Sequence, residues 1–335
     1  MTNYWQGPIT DNMATYLQQG IRDYAYTVAD ALTYFKSFNL IDPVPKGVPK
    51  VTTTIFEKMQ PGQIGFGLEH VPVAKPLAKE VTTQLAVFAS IVQLNKQQID
   101  LWKNQTSPRI QSGSLLARAI DQQLKAMVQQ IDNFLFWGDD MRSVNVLDNA
   151  NLLSSGTWTG LMNGFTTLAG GTGKDNDVTA ANDYWDTVSN MIKALKQAGH
   201  NSKQYIIFSD MDTYNAAGTG NNFYSTTGAH ENDLIIARHD VASWISSPNC
   251  YDNSESDYRL AVTTPSFSTI DPRGNLVKSQ VKPYRLLMGY DFEIVPIFNG
   301  ALDMQFNINI GVLVSLALEE TYSTAVQHTG ALTLS

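Results

Sequence analysis

The stretch that decides the fold spans residues 114–140 and reads SLLARAIDQQLKAMVQQIDNFLFWGDD. Its apolar side chains recur at intervals of three and four residues, which predicts one continuous apolar face on a helix of about six turns. These side chains are Leu116, Ile120, Leu124, Met127, Val128, Ile131 and Leu135. The pattern ends at Gly138, a residue that readily takes the left-handed conformation of a helix C-cap. The sequence therefore predicts a long core helix over residues 114–137.

Two strand patterns precede this helix and are separated by a segment rich in proline and glycine. Residues 51–56 are rich in β-branched side chains, and alternation over residues 81–91 is typical of a half-buried strand. A loop of this length is unusual inside a compact domain. We therefore predict a long hairpin that projects from the body onto a neighbouring subunit. The alternative interpretation is a flexible surface insertion.

The N-terminal region predicts an arm made of one helix followed by an extended segment. Apolar residues between Ile21 and Phe35 follow a helical period, and Pro43, Pro45 and Pro49 then exclude a regular helix.

The chain after the long helix alternates helix and strand signals. We predict a helix over residues 181–197, a buried strand over 205–208 and a short helix capped by Ser209 or Asp210. Further strands are predicted at residues 234–237, 258–262, 305–318 and 324–326, and residues 215–231 and 245–285 are interpreted as loops or as an insertion.

In this order, the features resemble the major capsid proteins of tailed viruses, which have the Hong Kong 97-like fold and share it with the encapsulins. The resemblance rests on Asp132, Phe136, Gly138 and Asp139 at the end of the helix and on Gly160-Leu161-Met162-Asn163 after it. A partial match to the family's Gly-x-Pro-Val-Val element lies at residues 289–296. The likeness extends over roughly residues 45–335.

The resemblance implies an α+β fold with five parts. These are an N-terminal arm (1–48), an extended hairpin loop (49–95), a peripheral domain with the spine helix 114–137 (96–180), an axial domain (181–290) and return strands (291–335).

The function implied by the resemblance is self-assembly, through pentamers and hexamers, into an icosahedral shell around double-stranded DNA. The shell of such a virus encloses its genome without sequence-specific binding, and it forms in the host cytoplasm to become the virion capsid. Separate scaffolding, portal and decoration proteins are the implied partners, and no membrane, cofactor, metal ion or catalytic residue is implied.

The residues that we expect at inter-subunit contacts lie in the hairpin and after the spine helix. Asp139 and Asp140 are included because acidic groups are unfavourable at a helix C-terminus, which suggests a partner. Lys75 and Lys79 lie where some relatives carry a crosslinking lysine, but no motif fixes the match, and crosslinking is not predicted. The full set is Phe56, Ile64, Phe66, Leu68, Val71, Val73, Lys75, Lys79, Asp139 and Asp140.

The composition agrees with this interpretation and argues against several others. Charged residues make up 16% of the 335 residues, which suits a surface hidden against neighbours. The net charge of −8 argues against a nucleic-acid reader that depends on basic contacts. The single cysteine, Cys250, cannot form an intrachain disulfide and fits a reducing compartment. We expect a product assembled inside a cell, because neither a signal segment nor an apolar run of about 20 residues is present.

Motifs for chemistry are weak. Gly170-Gly171-Thr172-Gly173-Lys174 lacks the first glycine of a phosphate-binding loop and has Asp175 in place of its Ser/Thr. The five histidines have no metal-ligand spacing, and no serine lies in a Gly-x-Ser-x-Gly turn.

Two alternatives remain open at this stage. The first is an encapsulin-like shell that encloses a cargo enzyme, and the second is an α+β hydrolase or transferase whose site has no sequence motif.

Overall fold

The structure of the chain is a computed structural model. It describes residues 11–56, 78–95, 112–138, 158, 160–162, 184–219, 230–252, 258–270, 276–297, 307–322, 326–329 and 332. The helices of this part are α1 (Asp11–Val28), α2 (Asp30–Ser37), α3 (Ser112–Trp137), α4 (Tyr184–Gln197), α5 (Met211–Thr219) and α6 (Glu231–Arg238).

The strands form two larger sheets and two separate hairpins. They are β1 (Ile41–Pro43), β2 (Lys50–Phe56), β3 (Ala78–Gln84), β4 (Ala86–Asn95), β5 (Tyr205–Ser209), β6 (Val241–Ser246), β7 (Leu260–Thr263), β8 (Phe267–Ile270), β9 (Leu276–Val281), β10 (Tyr284–Ile297), β11 (Asn307–Glu320) and β12 (Val326–His328). The first sheet has the order β1-β10-β11-β4 and the second the order β12-β7-β5-β6. The pairs β2-β3 and β8-β9 form two-stranded sheets. This mixture of helices and sheets confirms the predicted α+β class.

The spine helix predicted over residues 114–137 is α3. Its described apolar face is buried, with Leu124, Met127, Val128 and Ile131 at 5% exposure or less. Every residue from 131 to 138 is buried, so the last turns of α3 lie inside the core on all sides. Gly138 has φ +65°, which confirms the left-handed residue predicted at the helix end.

The second sheet separates two layers of core. Ile206 and Phe208 of β5 belong to the same hydrophobic cluster as the spine helix and the first sheet. Tyr205 and Ile207 point to the opposite face and pack with α4. All five residues of β5 are buried, which confirms the prediction of a buried strand at residues 205–208.

The N-terminal segment differs from the predicted arm. It contains two helices and not one, and β1 pairs in parallel with β10. Ile21, Ala25, Leu32 and Phe35 lie in this chain's own core. The prediction of a single helix is therefore wrong, and residues 21–41 of the predicted arm pack on this chain's own body. Helical spacing shows that a face is buried but does not show which chain buries it.

The hairpin is present, but its second strand is shorter than predicted. β2 pairs antiparallel with β3, from Lys50 opposite Gln84 to Phe56 opposite Ala78. The single strand predicted over residues 81–91 is wrong, because the chain changes partner at Leu85. From Ala86 onward β4 pairs with β11 of the first sheet. The pairing favours ending the hairpin segment at residue 84 and not at 95, although the five-part domain division as a whole stays a prediction.

Residues 234–237, predicted as a strand, lie in α6. The apolar run is four residues long, and such a short run does not distinguish strand from helix. Glu231 and Asp233 occupy the first turn, where acidic side chains stabilise a helix. Glu231 and Ile235 are both buried, as expected for two residues on one helical face.

The remaining helices and strands agree with the predictions from the sequence, except that one hairpin was not predicted. Asp210 Oδ1 accepts from the amides of Asp212 and Thr213 at 2.8 and 2.9 Å, which confirms the capped helix. The predicted strands over 258–262, 305–318 and 324–326 correspond to β7, β11 and β12 within a few residues, and the partial family element at residues 289–296 lies in β10. The range 245–285, interpreted as loops or an insertion apart from the strand at 258–262, also contains the hairpin β8-β9, which was not predicted.

Candidate inter-subunit surface

The residues predicted at inter-subunit contacts fall at or beyond the limits of the described chain. Phe56 and Lys79 lie near the outer end of the β2-β3 hairpin, where Phe56 pairs with Ala78 and Ile55 pairs with Lys79. Their side chains are outside the described residues, as are the remaining predicted contacts: Ile64, Phe66, Leu68, Val71, Val73, Lys75, Asp139 and Asp140. The structure therefore describes the base of the predicted surface, and the predictions for these side chains stand as predictions.

The hairpin leaves the body where the backbone turns at Leu85. The Leu85 amide donates to the Pro49 carbonyl at 2.9 Å, which closes the base of the hairpin. The Leu85 side chain is buried in the main core, and its Cδ2 would lie 3.4 Å from a Cβ at Gly289. A Cβ at 289 would also lie 2.6 Å from Ser315 Oγ, which accepts from the Tyr290 amide, so glycine leaves room for that hydroxyl group. The hairpin base is joined rigidly to the first sheet.

Trp158 holds the same turn from the other side. Its indole Nε1 donates to the Gln84 carbonyl at 2.7 Å, and its ring contacts Phe134 of α3 with centroids 5.8 Å apart. Gln84 is the last residue of β3, so this hydrogen bond ties the end of the hairpin to the spine helix. The contact fixes the point at which β3 leaves the body.

A cluster of charged side chains anchors the first strand of the hairpin. Arg285 of β10 donates through Nε to Glu319 at 2.6 Å and through Nη1 to Asp42 at 2.9 Å. Its Nη2 donates to Thr53 Oγ1 of β2 at 3.3 Å. Lys282 also pairs with Asp42, at 3.1 Å. One guanidinium group thus links β1, β11 and the hairpin.

The protonated form of Arg285 is favoured by these partners. Burial lowers the pKa of Arg285, but the hydrogen bonds and charges of Glu319 and Asp42 outweigh the burial and raise it overall. The Glu319 side chain is 1% exposed and that of Arg285 is 28% exposed. Sequence reasoning missed this cluster, because its members are far apart in the chain. The available signal was Arg285 directly before the apolar run at residues 286–288, since a charge next to a buried run requires a partner.

The described part of the hairpin faces solvent on one side. Thr52, Thr54, Glu80 and Thr82 are exposed, whereas Val51 and Thr53 are half-buried. The hydroxyls of Thr52 and Thr82 lie 3.1 Å apart across the strand pair. An isolated two-stranded hairpin is marginally stable in water, so the contacts at its base help to hold the described part of this one.

The edge strand β4 also presents an apolar row to solvent. Phe88 packs on Phe134 of the spine helix, with ring centroids 5.2 Å apart. Val87 and Ile91 point to the opposite side of the sheet and are 57% and 53% exposed. They are two of the few large apolar side chains exposed in the described part of the chain.

The described residues contain no group of histidine, cysteine and acidic side chains arranged to hold a metal ion. None of the helices in the described part combines the length and the hydropathy that a membrane-spanning segment needs.

Comparison with solved structures gives the fold. The capsid protein in a structure described as the capsid of Myoviridae phage XM1 superposes with a TM-score of 0.56 and 11% identity, over 90% of this chain and 92% of that chain. A Mycobacterium phage Bobi structure gives a TM-score of 0.53 at 11% identity, over 92% of this chain and 91% of that chain. A Gordonia phage Cozz structure gives a TM-score of 0.53 at 14% identity, over 90% of this chain and 86% of that chain. The chain has the Hong Kong 97-like fold.

This finding confirms the fold that the resemblance implied. The likeness covers about nine-tenths of the chain. At this low identity the likeness establishes the fold alone. No family model matches the sequence, and no curated protein matches it.

We expect Trp158→Phe to loosen the hairpin without unfolding the body. The variant removes the hydrogen bond to the Gln84 carbonyl and part of a buried ring, which should lower the free energy of unfolding by about 2 kcal/mol. Hydrogen exchange should become faster in β2 and β3.

Trp244→Phe is the matched control for this variant. It removes a similar buried bond, from Trp244 Nε1 to Ser209 Oγ at 2.9 Å, in the second sheet. We expect it to lower the stability of the protein but to leave exchange in the hairpin unchanged. Equal acceleration of hairpin exchange in both variants would show that Trp158 has no specific effect.

Proposed function

We propose that this protein is a major capsid protein whose copies assemble into an icosahedral shell. The observation that carries the proposal is the β2-β3 hairpin, which has no sheet partner beyond its own two strands in the described part of the chain. The similarity of fold to phage capsid proteins supports the proposal, because those proteins act as many copies in one closed assembly. Repeated contacts of modest strength are sufficient for stability when each is formed throughout a closed lattice.

The hairpin is the element that we propose reaches an adjacent copy. Its base is fixed by Leu85, Trp158 and Arg285, so its direction from the body is set before assembly. Its outer part is rich in apolar side chains, which favour burial against a second chain. The proposed contact residues in the hairpin are Phe56, Ile64, Phe66, Leu68, Val71, Val73, Lys75 and Lys79, and Asp139 and Asp140 are proposed after the spine helix.

The proposed contents of the shell are double-stranded DNA. The net charge of −8 fits a wall that surrounds nucleic acid without binding its sequence. Pentamers and hexamers would form the lattice in the host cytoplasm, with separate scaffolding, portal and decoration proteins as partners. An encapsulin-like shell is the alternative, and it differs in enclosing a protein cargo.

Expression of the full chain followed by electron microscopy tests the shell directly. We expect closed particles that elute at the void volume of a sizing column. A sharp species of fewer than about ten subunits would favour the enzyme alternative and contradict a shell. Nuclease-protected DNA in particles purified from an infected host would support the capsid, whereas a packaged protein and no DNA would support the encapsulin alternative.

Shortening the hairpin separates assembly from folding. Replacing residues 57–77 by Asn-Gly keeps both described strands and joins them by a tight turn of a favoured type. We expect the variant to retain its circular dichroism spectrum and cooperative melting but to form no particles. Particle formation at the normal yield would show that the hairpin does not carry the inter-subunit contacts.

A further inference from the structure

The helices α1 and α2 meet at a joint where a single residue interrupts the helical backbone. Ala29 has φ −83° and ψ 115°, which is an extended conformation, and it occupies the N-cap position of α2. An alanine side chain cannot accept a hydrogen bond, so the first amides of α2 receive no cap from Ala29. On the other side of the joint, the Tyr26 carbonyl accepts from Thr33 Oγ1 at 2.8 Å. Ala29 itself is satisfied by backbone bonds to Ala25 and Thr33, so the first amides of α2 are the groups that need a side-chain partner.

The missing cap of α2 is supplied by Asp132, which lies in the spine helix. Asp132 Oδ1 accepts from the Ala31 amide at 2.8 Å, and Oδ2 accepts from Asn249 Nδ2 at 2.7 Å. Asp132 is 2% exposed. One buried carboxyl group thus joins the N-terminal helices, the spine helix and the turn at residues 248–250.

The titratable groups closest to Asp132 are themselves acidic. Asp30 lies in α2, and its charge raises the pKa of the Asp132 carboxyl group. Cys250 lies in the turn at residues 248–250. The charge of Asp210, at the start of α5, raises the pKa of the Cys250 thiol. Burial raises the pKa of Asp132 from 3.8 to about 7, although the hydrogen bonds from Asn249 and Ala31 oppose the change.

The basic side chains of the two helices have other partners. Arg22 of α1 pairs with Asp291 of β10 at 2.9 Å. Lys36, near the end of α2, lies over the ring of Tyr26 at 4.7 Å from its centroid. These contacts place their charges away from the Asp132 carboxyl group. The ionised form of Asp132 is therefore stabilised mainly by hydrogen bonds.

We propose that Asp132 is a proton-controlled latch on the joint between α1 and α2. In the closed state Asp132 is protonated and buried, and its Oδ1 accepts from the Ala31 amide. The proton on Oδ2 is donated to Asn249 Oδ1 after a half-turn of that amide. In the open state the ionised carboxylate reaches water, the cap on α2 is lost, and α1 changes direction relative to α2 at Ala29.

The direction of the pH effect follows from proton linkage. The closed state has the higher proton affinity, so closing is favoured most below pH 3.8, the pKa of the carboxyl group in water. The preference for the closed state is lost as the pH rises to about 7. The ratio of closed to open joint falls by about a thousandfold over that range. Low pH therefore closes the latch and high pH opens it.

Hydrogen exchange of the intact protein between about pH 5 and pH 8 tests the latch. After correction for intrinsic exchange rates, the opening constant for the amides of residues 30–32 should rise about tenfold per pH unit and level off near pH 7. In Asp132→Asn, which caps Ala31 through an amide oxygen that does not titrate, the opening constant should be the same at every pH. A flat profile in the wild-type protein, or an unchanged slope in the variant, would overturn the proposal.

Two further variants make the test specific. Asp210→Asn removes the charge of another buried acidic cap. The opening constant at residues 30–32 should keep its dependence on pH in this variant, and loss of that dependence would contradict the role given to Asp132. Asn249→Ala removes the side-chain partner of both forms of Asp132, and because a hydrogen bond to the ionised carboxylate is the stronger of the two, the levelling point should move to higher pH. This variant tests the latch even where Asp132→Asn does not fold, and an unchanged or lower levelling point would overturn it.

Discussion

Replacing Gly160 by alanine should strongly destabilise the folded chain. A Cβ at this position would lie 2.3 Å from the Phe136 carbonyl oxygen and 2.5 Å from the Trp137 amide nitrogen. Both are backbone atoms at the end of the spine helix, so no side-chain rotation relieves the clash. The segment that follows Gly160 would have to move away from the helix.

That movement would break the cap of the spine helix. The amides of Leu161 and Met162 donate to the carbonyls of Leu135 and Phe136 at 3.0 and 2.7 Å, and those carbonyls belong to the last turn of the helix. Leu161 and Met162 are also fully buried. Overpacking together with two lost hydrogen bonds should cost about 4 kcal/mol or more. Urea unfolding followed by circular dichroism measures this cost.

Gly20→Ala is the control for the substitution itself. Gly20 lies inside α1, and nothing lies within 4 Å of the added Cβ. Alanine has the higher helix propensity, so this variant should be more stable than the wild-type protein by about 0.5–1 kcal/mol. A stable, cooperatively folding Gly160→Ala protein would show that the segment after the spine helix does not need its close approach.

This contact gives a physical reason for one motif on which the family resemblance was based. The spine helix could be predicted because its period and its terminal glycine are local features of the chain. Gly160-Leu161-Met162 was recognised by its similarity to relatives, and the structure explains it as the part that caps the helix. The hydrogen bonds of the cap could not be predicted. They join two segments that are distant in the sequence, and no local pattern indicates such a contact.

Two of the wrong predictions have a common cause, which is that a local pattern does not specify its partner. Alternation over residues 81–91 was correct for strand conformation, yet the chain exchanges β2 for β11 at Leu85. The buried face of the N-terminal helices was correct as a pattern, but the chain itself covers that face. At residues 234–237 the apolar run was too short to separate strand from helix, and the acidic first turn was the better signal.

The candidate surface was predicted only at the level of a segment. A proline- and glycine-rich stretch between two strand patterns was sufficient to predict the β2-β3 hairpin, and its reach onto a neighbouring subunit stays a prediction. The charged cluster that orients it was not predicted, since Arg285 is 243 residues from Asp42. Such clusters are determined by how strands from different regions meet. The sequence indicates only that a charge next to an apolar run requires a partner.

Arg285→Leu should destabilise the body and misdirect the hairpin. The substitution leaves Glu319 buried without the guanidinium group that pairs with it, and it removes the donor to Thr53. Loss of one partner of a buried ion pair costs about 3–5 kcal/mol, and partial exposure of Arg285 reduces this to about 3 kcal/mol. Chemical unfolding should show the loss. Lys282→Met, which leaves the Arg285 contacts with Asp42 and Glu319 in place, should change stability by less than about 1 kcal/mol.

The double variant Arg285→Leu with Glu319→Leu separates the two effects. Replacing both members of a buried ion pair by apolar side chains is often neutral, so the double variant should recover most of the lost stability. It does not restore the hydrogen bond to Thr53, so the hairpin base should remain loose. We therefore expect a stably folded protein whose particle yield is still reduced. Full recovery of particle formation in the double variant would show that Arg285 stabilises the body without orienting the hairpin. A particle yield that stays low while stability returns would instead identify the direction of the hairpin as the property on which assembly depends.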